Sequence, residues 1–292
     1  MTVNSANMDD FGLDSSALAG SLEGKLAAAR DTGFSQMVLS SSDLVNHPGG
    51  MDCAVAAVQA SGLRVSGFQS LNDYEGLSGP LLVNKINVAK ALLEMCHALK
   101  SHLLVVNAST LAAAASDTAT LVRNLRQLAM LAIPRNIRIA YRAHPQAQVV
   151  KEFGQAWDLV CMADMPNLGL CLDATEVLTS TSPDNDLDML DAEKLFFVQL
   201  ADRLDPSRTN TRLFPGEGLH SAELATLVTT LHQLGYRGDY GLSAVNTDYL
   251  QMPAPLVVQR AWDAALWLGQ EVLQRSVPLP NQIRLKHRLS GG

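Results

Sequence analysis

The sequence predicts one domain built as a (β/α)₈ barrel. Three observations lead to this prediction. Short apolar runs alternate with longer amphipathic segments, eight such units can be counted, and together they fill almost the whole 292-residue chain. Near-continuous apolar strands separated by helices are typical of a parallel sheet covered by helices. Eight units favour closure of that sheet into a barrel.

We expect a single domain over residues 1–292, with the barrel at about 9–275 and a C-terminal tail at 276–292. No internal linker or low-complexity segment divides the chain. A doubly wound open sheet is the alternative. No glycine-rich phosphate loop follows the first apolar run, however, and this counts against a dinucleotide-binding fold.

Each predicted strand is a short apolar run. The runs span residues 11–13, 36–40, 63–68, 102–107, 137–142, 168–173, 195–201 and 240–246. The predicted helices span residues 21–32, 51–61, 81–99, 117–132, 149–163, 187–190, 221–234 and 255–274. Ser21 and Gly33 flank the first helix, where a serine side chain and a glycine backbone satisfy free terminal groups.

The composition excludes several classes of protein. The chain is 47% hydrophobic and 17% charged, which is typical of a globular protein. The net charge is −7, and the one basic cluster is Arg284, Lys286 and Arg288, so we expect no nucleic-acid partner. No apolar run approaches the length of about eighteen residues that a membrane span needs. The polar, acidic segment 1–10 does not resemble a secretory signal, and we expect a cytoplasmic protein.

The four cysteines show no metal-binding or redox pattern. Cys53, Cys96, Cys161 and Cys171 form no C-x-x-C pair, and each lies in an apolar segment. We therefore expect four buried free thiols rather than a zinc site or disulfides.

Candidate site residues are the polar side chains at the carboxyl ends of the predicted strands, where barrels of this kind place their working groups. They are Ser40, Ser41, Asp43, Gln69, Asn72, Asn107, Arg142, His144, Asp173, Glu176, Gln199, Asp202, Arg208, Arg212, Glu217, Ser243 and Asn246. Asp173 and Gln199 each interrupt an apolar run at the end of adjacent strands. A buried polar side chain needs a partner, so this pair indicates either a ligand site or a satisfied polar layer.

Several of these motifs resemble the xylose-isomerase-like barrels, a group that includes sugar-phosphate isomerases and epimerases, and within it the bacterial 3-dehydroshikimate dehydratases. The likeness runs over residues 20–267, and its most specific pieces are the segments 67–76, 155–157, 170–173, 196–202 and 213–218. The resemblance implies a divalent metal (Mg²⁺, Mn²⁺ or Zn²⁺) held by a Glu, an Asp, a Gln or His and a second Glu on strands five to eight. Such an ion would polarise a substrate carbonyl or hydroxyl.

Only half of that ligand set is present. Asp173 and Gln199 stand where the family has its Asp and Gln, whereas Arg142 and Ser243 align with the two glutamates. Any residual metal site would consist of Asp173 and Gln199, weakened by the neighbouring cation. Three further family positions also differ, reading Asn72 for an Arg and Val149 and Glu176 for His residues.

Arg142 is therefore the most informative departure. A guanidinium would repel a divalent ion, but it could pair with Asp173 and donate to Gln199, taking over the charge of the missing metal. The alternative is that Arg142 only neutralises Asp173 in a site that has lost its activity.

The other candidates have weaker support. His144 is either a general acid or base or a loop histidine before a proline. Arg208 and Arg212 could clamp a carboxylate or phosphate. The remaining candidate ligand-binding residues are Asn107, Glu176, Glu217 and Asn246.

Two functions stay open. The first is an isomerase, epimerase or lyase that abstracts a proton next to a carbonyl of a small polyhydroxylated or keto-acid substrate. Arg142, His144, Asp173 and Gln199 would form its catalytic site. The second is a metal-free pseudoenzyme or ligand-binding barrel. We do not expect ordinary 3-dehydroshikimate dehydratase activity. A DNA-repair nuclease is disfavoured by the acidic charge. A homo-oligomer, with the tail packed on a second subunit, is also open.

Overall fold

The computed structural model describes residues 8–180, 186–204 and 211–275. Eight parallel strands close into a barrel in the order β1-β10-β7-β6-β5-β4-β3-β2, which confirms the predicted fold. The barrel strands are β1 (Phe11–Asp14), β2 (Gln36–Ser40), β3 (Arg64–Asn72), β4 (Leu103–Asn107), β5 (Arg138–Arg142), β6 (Leu168–Asp173), β7 (Leu195–Leu200) and β10 (Tyr240–Leu242). A two-stranded antiparallel hairpin, β8 (Asp202–Arg203) with β9 (Arg212–Leu213), follows β7.

Helices surround the barrel. They are α1 (Leu22–Thr32), α2 (Ser41–Val45), α3 (Gly50–Ser61), α4 (Gly79–Ala98), α5 (Thr118–Ala132), α6 (Phe153–Ala163), α7 (Ala174–Thr179), α8 (Ser221–Gln233) and α9 (Ala254–Leu266). The last continues as a π-helical segment, Trp267–Val272. Ser21 caps α1 by accepting a hydrogen bond from the Gly24 amide, and Gly33 ends it, as the sequence predicted. In the described part of the chain, no helix is both long enough and apolar enough to cross a lipid bilayer.

The predicted elements needed several corrections. Strand β3 extends to Asn72, and β10 ends at Leu242 instead of residue 246. Two short helices, α2 and α7, were not predicted. A capping box between Ser40 and Asp43 starts α2, and the Asp173 side chain caps α7. The segment predicted as a helix at 187–190 forms a 3₁₀ turn, Leu187–Met189.

The barrel interior changes from apolar to polar along the strands. Its middle is filled by a separate cluster of buried apolar side chains: Val38, Leu103, Val105, Ala140, Cys171, Phe196 and Phe197. Side chains two residues apart on a strand face the same side of a sheet. Two residues beyond Val105, Ala140, Cys171 and Phe197 come the polar residues Asn107, Arg142, Asp173 and Gln199. The strands therefore carry a layer of polar side chains at their carboxyl ends, next to the apolar cluster that fills the middle of the barrel.

The prediction of four buried thiols is wrong for two cysteines. Cys96 and Cys171 are buried, but Cys53 and Cys161 are exposed, and all four are free. Cys53 lies on α3 and Cys161 on α6. An apolar segment that forms a surface helix still turns one face to solvent, so the apolar surroundings in sequence did not imply burial.

Gly169 offers a test of the barrel packing. A Cβ at this position would lie 2.4 Å from the Lys194 carbonyl oxygen and 2.6 Å from the Phe196 ring. We expect Gly169→Ala to lower the free energy of unfolding by about 1–3 kcal/mol, because the Lys194 backbone immediately before β7 would have to move. Urea unfolding followed by circular dichroism measures this change.

Gly67→Ala is the matched control, since its Cβ would meet its nearest atom at 3.6 Å, an ordinary contact. Equal destabilisation by the two substitutions would contradict the packing described for β6 and β7.

Candidate functional site

The Asp173 carboxylate at the end of β6 is the centre of the polar layer. Its side chain has 0% exposure. Oδ2 accepts hydrogen bonds from Arg142 Nη1 at 3.2 Å and from Arg212 Nη1 at 2.7 Å. Oδ1 accepts from the Thr175 amide at 3.0 Å and from the Thr175 hydroxyl at 2.7 Å. Four donors therefore surround one buried carboxylate, and the predicted pairing of Arg142 with Asp173 is observed.

Asp173 stays ionised in spite of its burial. Burial alone would raise the pKa of Asp173, but the positive charges of Arg212 and Arg142 and the hydrogen bonds outweigh it and hold this pKa below its ordinary value. Burial lowers the pKa of Arg212, and the attraction of Asp173 more than offsets that effect. Asp173 thus carries its negative charge between two guanidinium groups.

A chain of amide groups extends from this cluster across the barrel mouth. Arg142 Nη1 also donates to Gln199 Oε1, as the sequence predicted. Gln199 Nε2 donates to Gln69 Oε1 at 2.8 Å, and Gln69 Nε2 donates to Asp14 Oδ2 at 2.6 Å. Ser243, at the end of β10, donates its hydroxyl proton to the same Asp14 oxygen at 2.8 Å. Hydrogen bonds therefore connect β1, β3, β5, β6, β7 and the end of β10.

Asp14 was missed by the sequence reasoning. It lies directly after the first predicted run, is 1% exposed, and accepts hydrogen bonds at Oδ1 from the amide and hydroxyl of Ser16. The available signal was the sequence Asp14-Ser15-Ser16, in which an aspartate caps a turn at the end of a strand. The short first run hid the fact that this strand also ends in a buried polar residue.

Glu176 is the candidate most suited to proton transfer. It lies in the first turn of α7, three residues after Asp173. Burial raises the pKa of Glu176 to about 8, and the negative charge of Asp173 adds to this effect. At neutral pH its carboxyl group therefore carries a proton, beside two guanidinium groups that favour its ionised form.

His144 lies beside the same charges, on the loop after β5. Burial lowers the pKa of His144, and the positive charges of Arg142 and Arg212 lower it further, so the ring is neutral at pH 7. Its Nδ1 accepts a hydrogen bond from the Gln146 amide at 3.2 Å. This bond assigns the ring proton to Nε2.

Arg212 reaches the site from the β8–β9 hairpin. The buried Asp202 carboxylate fixes the conformation of the chain around it by accepting four hydrogen bonds. Three come from the backbone amides of Arg203 at 2.7 Å, Gly218 at 3.0 Å and His220 at 3.0 Å, and one comes from the Ser221 hydroxyl at 2.7 Å. Asp202, a candidate by its position alone, is therefore a residue that shapes the loop. Arg208 lies outside the described residues.

Other candidates are engaged elsewhere. Glu217 accepts hydrogen bonds from Arg260 at 2.7 Å and from the Tyr249 hydroxyl. Asn246 is buried, and its side-chain oxygen accepts from the Asp248 amide at 2.8 Å, forming a local turn. Their predicted part in ligand binding has no support from these contacts and stays a prediction.

Two polar atoms at the mouth lack a hydrogen-bond partner among the described residues. They are Nε of Arg142 and Oδ1 of Asn107, both buried. The two residues are register partners on neighbouring strands β4 and β5. Asn107 uses its Nδ2 to donate to Asn72 at 2.6 Å. A buried donor and a buried acceptor on neighbouring strands are thus left without a hydrogen-bond partner among the described residues.

The residues present do not fit a divalent metal. The oxygens of Asp173 and Gln199 that would bind it both accept hydrogen bonds from Arg142 Nη1. Within residues 8–180, 186–204 and 211–275, no group of three or more His, Cys, Asp or Glu side chains is arranged to hold a metal ion. The arrangement provides instead hydrogen-bond donors with fixed positive charge, which bind carboxylates, phosphates and enolates.

The fold and this site define a (β/α)₈ barrel with a layer of hydrogen-bonded polar side chains at the carboxyl ends of its strands. The model of the xylose isomerase-like TIM barrel family matches residues 26–262, and the chain belongs to that family.

Curated relatives carry two kinds of name. The chain is 32% identical over 272 residues to the 3-dehydroshikimate dehydratase of Pseudomonas aeruginosa, covering 90% of this chain and 42% of that protein. It is 29% identical over 151 residues to the inosose isomerase of Halalkalibacterium halodurans, covering 50% of this chain and 52% of that protein. The chain therefore spans about half the length, or less, of these two relatives.

Solved structures share the fold. One is a xylose isomerase-like TIM barrel/4-hydroxyphenylpyruvate dioxygenase fusion protein, with a TM-score of 0.83 and 26% identity, covering 96% of this chain and 44% of that chain. Another is the IolI protein with a bound zinc atom, with a TM-score of 0.78 and 19% identity, covering 90% of this chain and 99% of that chain.

Replacing Asp173 tests its place at the centre of the cluster. Asp173→Asn would leave two arginines without their shared counter-ion, so we expect a loss of about 3 kcal/mol or more in the free energy of unfolding at pH 7. The pKa of Asp173 is lowered by folding, so its contribution is present above the ordinary value of 3.8 and is lost as the pH falls below it. Urea unfolding at pH 7 and pH 3.5 measures both effects.

Asp117→Asn serves as the control, because Asp117 is an exposed N-cap of α5 and asparagine caps helices equally well. An Asp173→Asn variant as stable as this control would show that the arginines do not depend on Asp173.

Glu176 generates a second prediction. Its folded-state pKa of about 8 lies above the ordinary 4.5, so its stabilising contribution is full below pH 4.5 and is lost as the pH rises through 8. Wild type should therefore lose at least about 1 kcal/mol more stability than Glu176→Gln between pH 5 and pH 9. Denaturant unfolding at the two pH values gives the difference. Glu193→Gln, at an exposed carboxyl, controls for the loss of one surface charge, and parallel curves for wild type and Glu176→Gln would refute the assignment.

Proposed function

We propose that the barrel mouth binds a small anionic, hydroxylated compound of the sugar or keto-acid class and moves a proton next to its carbonyl group without a resident metal. The reaction would be of the isomerase, epimerase or lyase type. The observation that carries this proposal is the convergence of Arg142 and Arg212 on Asp173, with the protonated carboxyl of Glu176 beside them.

The arginines would bind the negative charge of the ligand. Arg142 and Arg212 each use Nη1 for Asp173, and their side chains keep 15% and 23% exposure. Asp173 offsets one of the two positive charges, and the more distant Asp14 also attracts Arg212. Guanidinium groups donate in a planar fork that matches a carboxylate or an enolate, and they cannot lose their protons at neutral pH.

Glu176 and His144 are the proton-transfer candidates. Proton transfer is most efficient when the pKa of the acid or base lies near the working pH, and that of Glu176 is about 8. Once ionised, Glu176 would act as the base towards a C–H bond made acidic by an adjacent carbonyl. His144, neutral and with its Nε2 proton available, would donate to the developing oxyanion.

The relatives support the class of ligand. The inosose isomerases and 3-dehydroshikimate dehydratases among them are named for small hydroxylated carbonyl compounds. Arg142 Nε and Asn107 Oδ1 are buried and lack a partner among the described residues, so a ligand hydroxyl that reached them would accept from the first or donate to the second.

A non-catalytic binding barrel is the second candidate. It is favoured by the occupation of both Asp173 oxygens and of Gln199 Oε1 by donors of the protein itself. A ligand would then be held by the arginines alone, with no group freed to attack it.

Solvent deuterium exchange tests the proposed function. The protein, treated with EDTA, is incubated in D₂O with 3-dehydroshikimate, an inosose or D-allulose, and deuterium next to the carbonyl is followed by NMR. We expect incorporation into at least one compound, with a loss of about 10²-fold or more in Glu176→Gln, because that variant lacks a titrating carboxyl. Glu94→Gln, at an exposed carboxylate that pairs with Arg135, is the control and should exchange at the wild-type rate.

Saturable binding of one of these compounds without exchange would favour the binding barrel. Absence of both binding and exchange for the three compounds would contradict the proposed ligand class.

A further inference from the structure

We infer that Arg142 is the resident cation of this site and occupies the point at which a divalent ion would otherwise join Asp173 and Gln199. The inference rests on the proposed function for the location of the site. It identifies the positively charged group at this point of the site. That group in turn determines which reactions a bound ligand could undergo.

The geometry places one nitrogen at the meeting point of two oxygens. Asp173 and Gln199 are register partners on β6 and β7. Arg142 Nη1, arriving from β5, donates both to Asp173 Oδ2 and to Gln199 Oε1. A carboxylate oxygen and an amide oxygen facing one point are ligands that hard divalent cations use, so a guanidinium nitrogen at that point competes with such an ion directly.

The surrounding hydrogen bonds fix this arrangement. Asp14 can only accept, so Gln69 turns its amide nitrogen to Asp14 and its oxygen to Gln199. Gln199 must then turn its own nitrogen to Gln69, which leaves its oxygen for Arg142. The Asp173 oxygen that Arg142 contacts also accepts from Arg212. Both oxygens at this point therefore already have protein donors.

The charges act in the same direction. Two guanidinium groups face the ionised Asp173, and Glu176 adds no negative charge at neutral pH because its pKa is about 8. A divalent ion would add two positive charges directly beside two guanidinium groups, which cannot be deprotonated. The same guanidinium groups favour a ligand anion, because they add hydrogen-bond donors and positive charge at the mouth.

Manganese binding tests the inference. Calorimetric titration of Mn²⁺ compares EDTA-treated wild type with Arg142→Glu, which replaces the cation by a carboxylate beside Asp173, Gln199 and Glu176. We expect no saturable Mn²⁺ binding to wild type and one bound Mn²⁺ per chain in Arg142→Glu. This binding should be at least about tenfold tighter than any binding to the control variant described next. The control is Arg135→Glu, an identical charge reversal at an arginine that pairs with the exposed Glu94. Adding Asp173→Asn to Arg142→Glu should abolish the gain.

Circular dichroism establishes that each variant is folded. If Arg142→Glu is not, Arg142→Gln, which removes the charge without adding a carboxylate, takes its place, and we expect tighter Mn²⁺ binding than in wild type. One Mn²⁺ bound to wild type and lost in Asp173→Asn would overturn the inference, and so would the absence of any gain in the folded Arg142 variants. The titration contains no substrate, so a failure of the deuterium-exchange experiment leaves its outcome unchanged.

Discussion

The carboxylate of Asp173, with no exposed surface, holds two arginines that come from different parts of the chain. An ionised group removed from water is costly unless it is paired and hydrogen-bonded, and here four donors meet that requirement. The same bonds join β5 to β6, start α7 through Thr175 and attach the β8–β9 hairpin to the barrel through Arg212. Local secondary structure and the form of the mouth thus depend on one ion cluster.

The side-chain amides of Gln69 and Gln199 connect this ion cluster by hydrogen bonds to further strands of the barrel. Two glutamines, Gln69 and Gln199, lie between a carboxylate that only accepts and a guanidinium that only donates. The two ends therefore allow the pair of amides a single orientation. A reversed Gln199 would place its amide nitrogen against Arg142 and its oxygen against the Gln69 oxygen, so that neither contact could form. The mouth of the barrel consequently presents a fixed pattern of donors and acceptors.

Periodicity predicted the fold because it records which residues alternate between core and solvent, and all eight strands lie where apolar runs occur. Asp173, Gln199 and Arg142 were predictable because each is a polar interruption at a strand end. Asp14 was overlooked because the first apolar run is short, and its contact with Ser243 joins the first and last barrel strands, which meet only when the barrel closes. Cys53 was misjudged because apolar composition does not specify which face of a helix is covered.

The identity of the cation limits the chemistry that the ligand meets. A divalent ion polarises an oxygen from any direction and lowers the pKa of bound water or hydroxyl groups. A guanidinium stabilises negative charge only along its N–H directions and supplies no comparable activation. Without that activation, removal of a proton next to a carbonyl requires a base whose pKa already lies near neutrality. Glu176, at about 8, meets this condition because burial and the charge of Asp173 raise its pKa, while Arg142 and Arg212 oppose the increase. The two arginines that make a metal unfavourable here thus also limit how far burial and Asp173 raise the pKa of the candidate base.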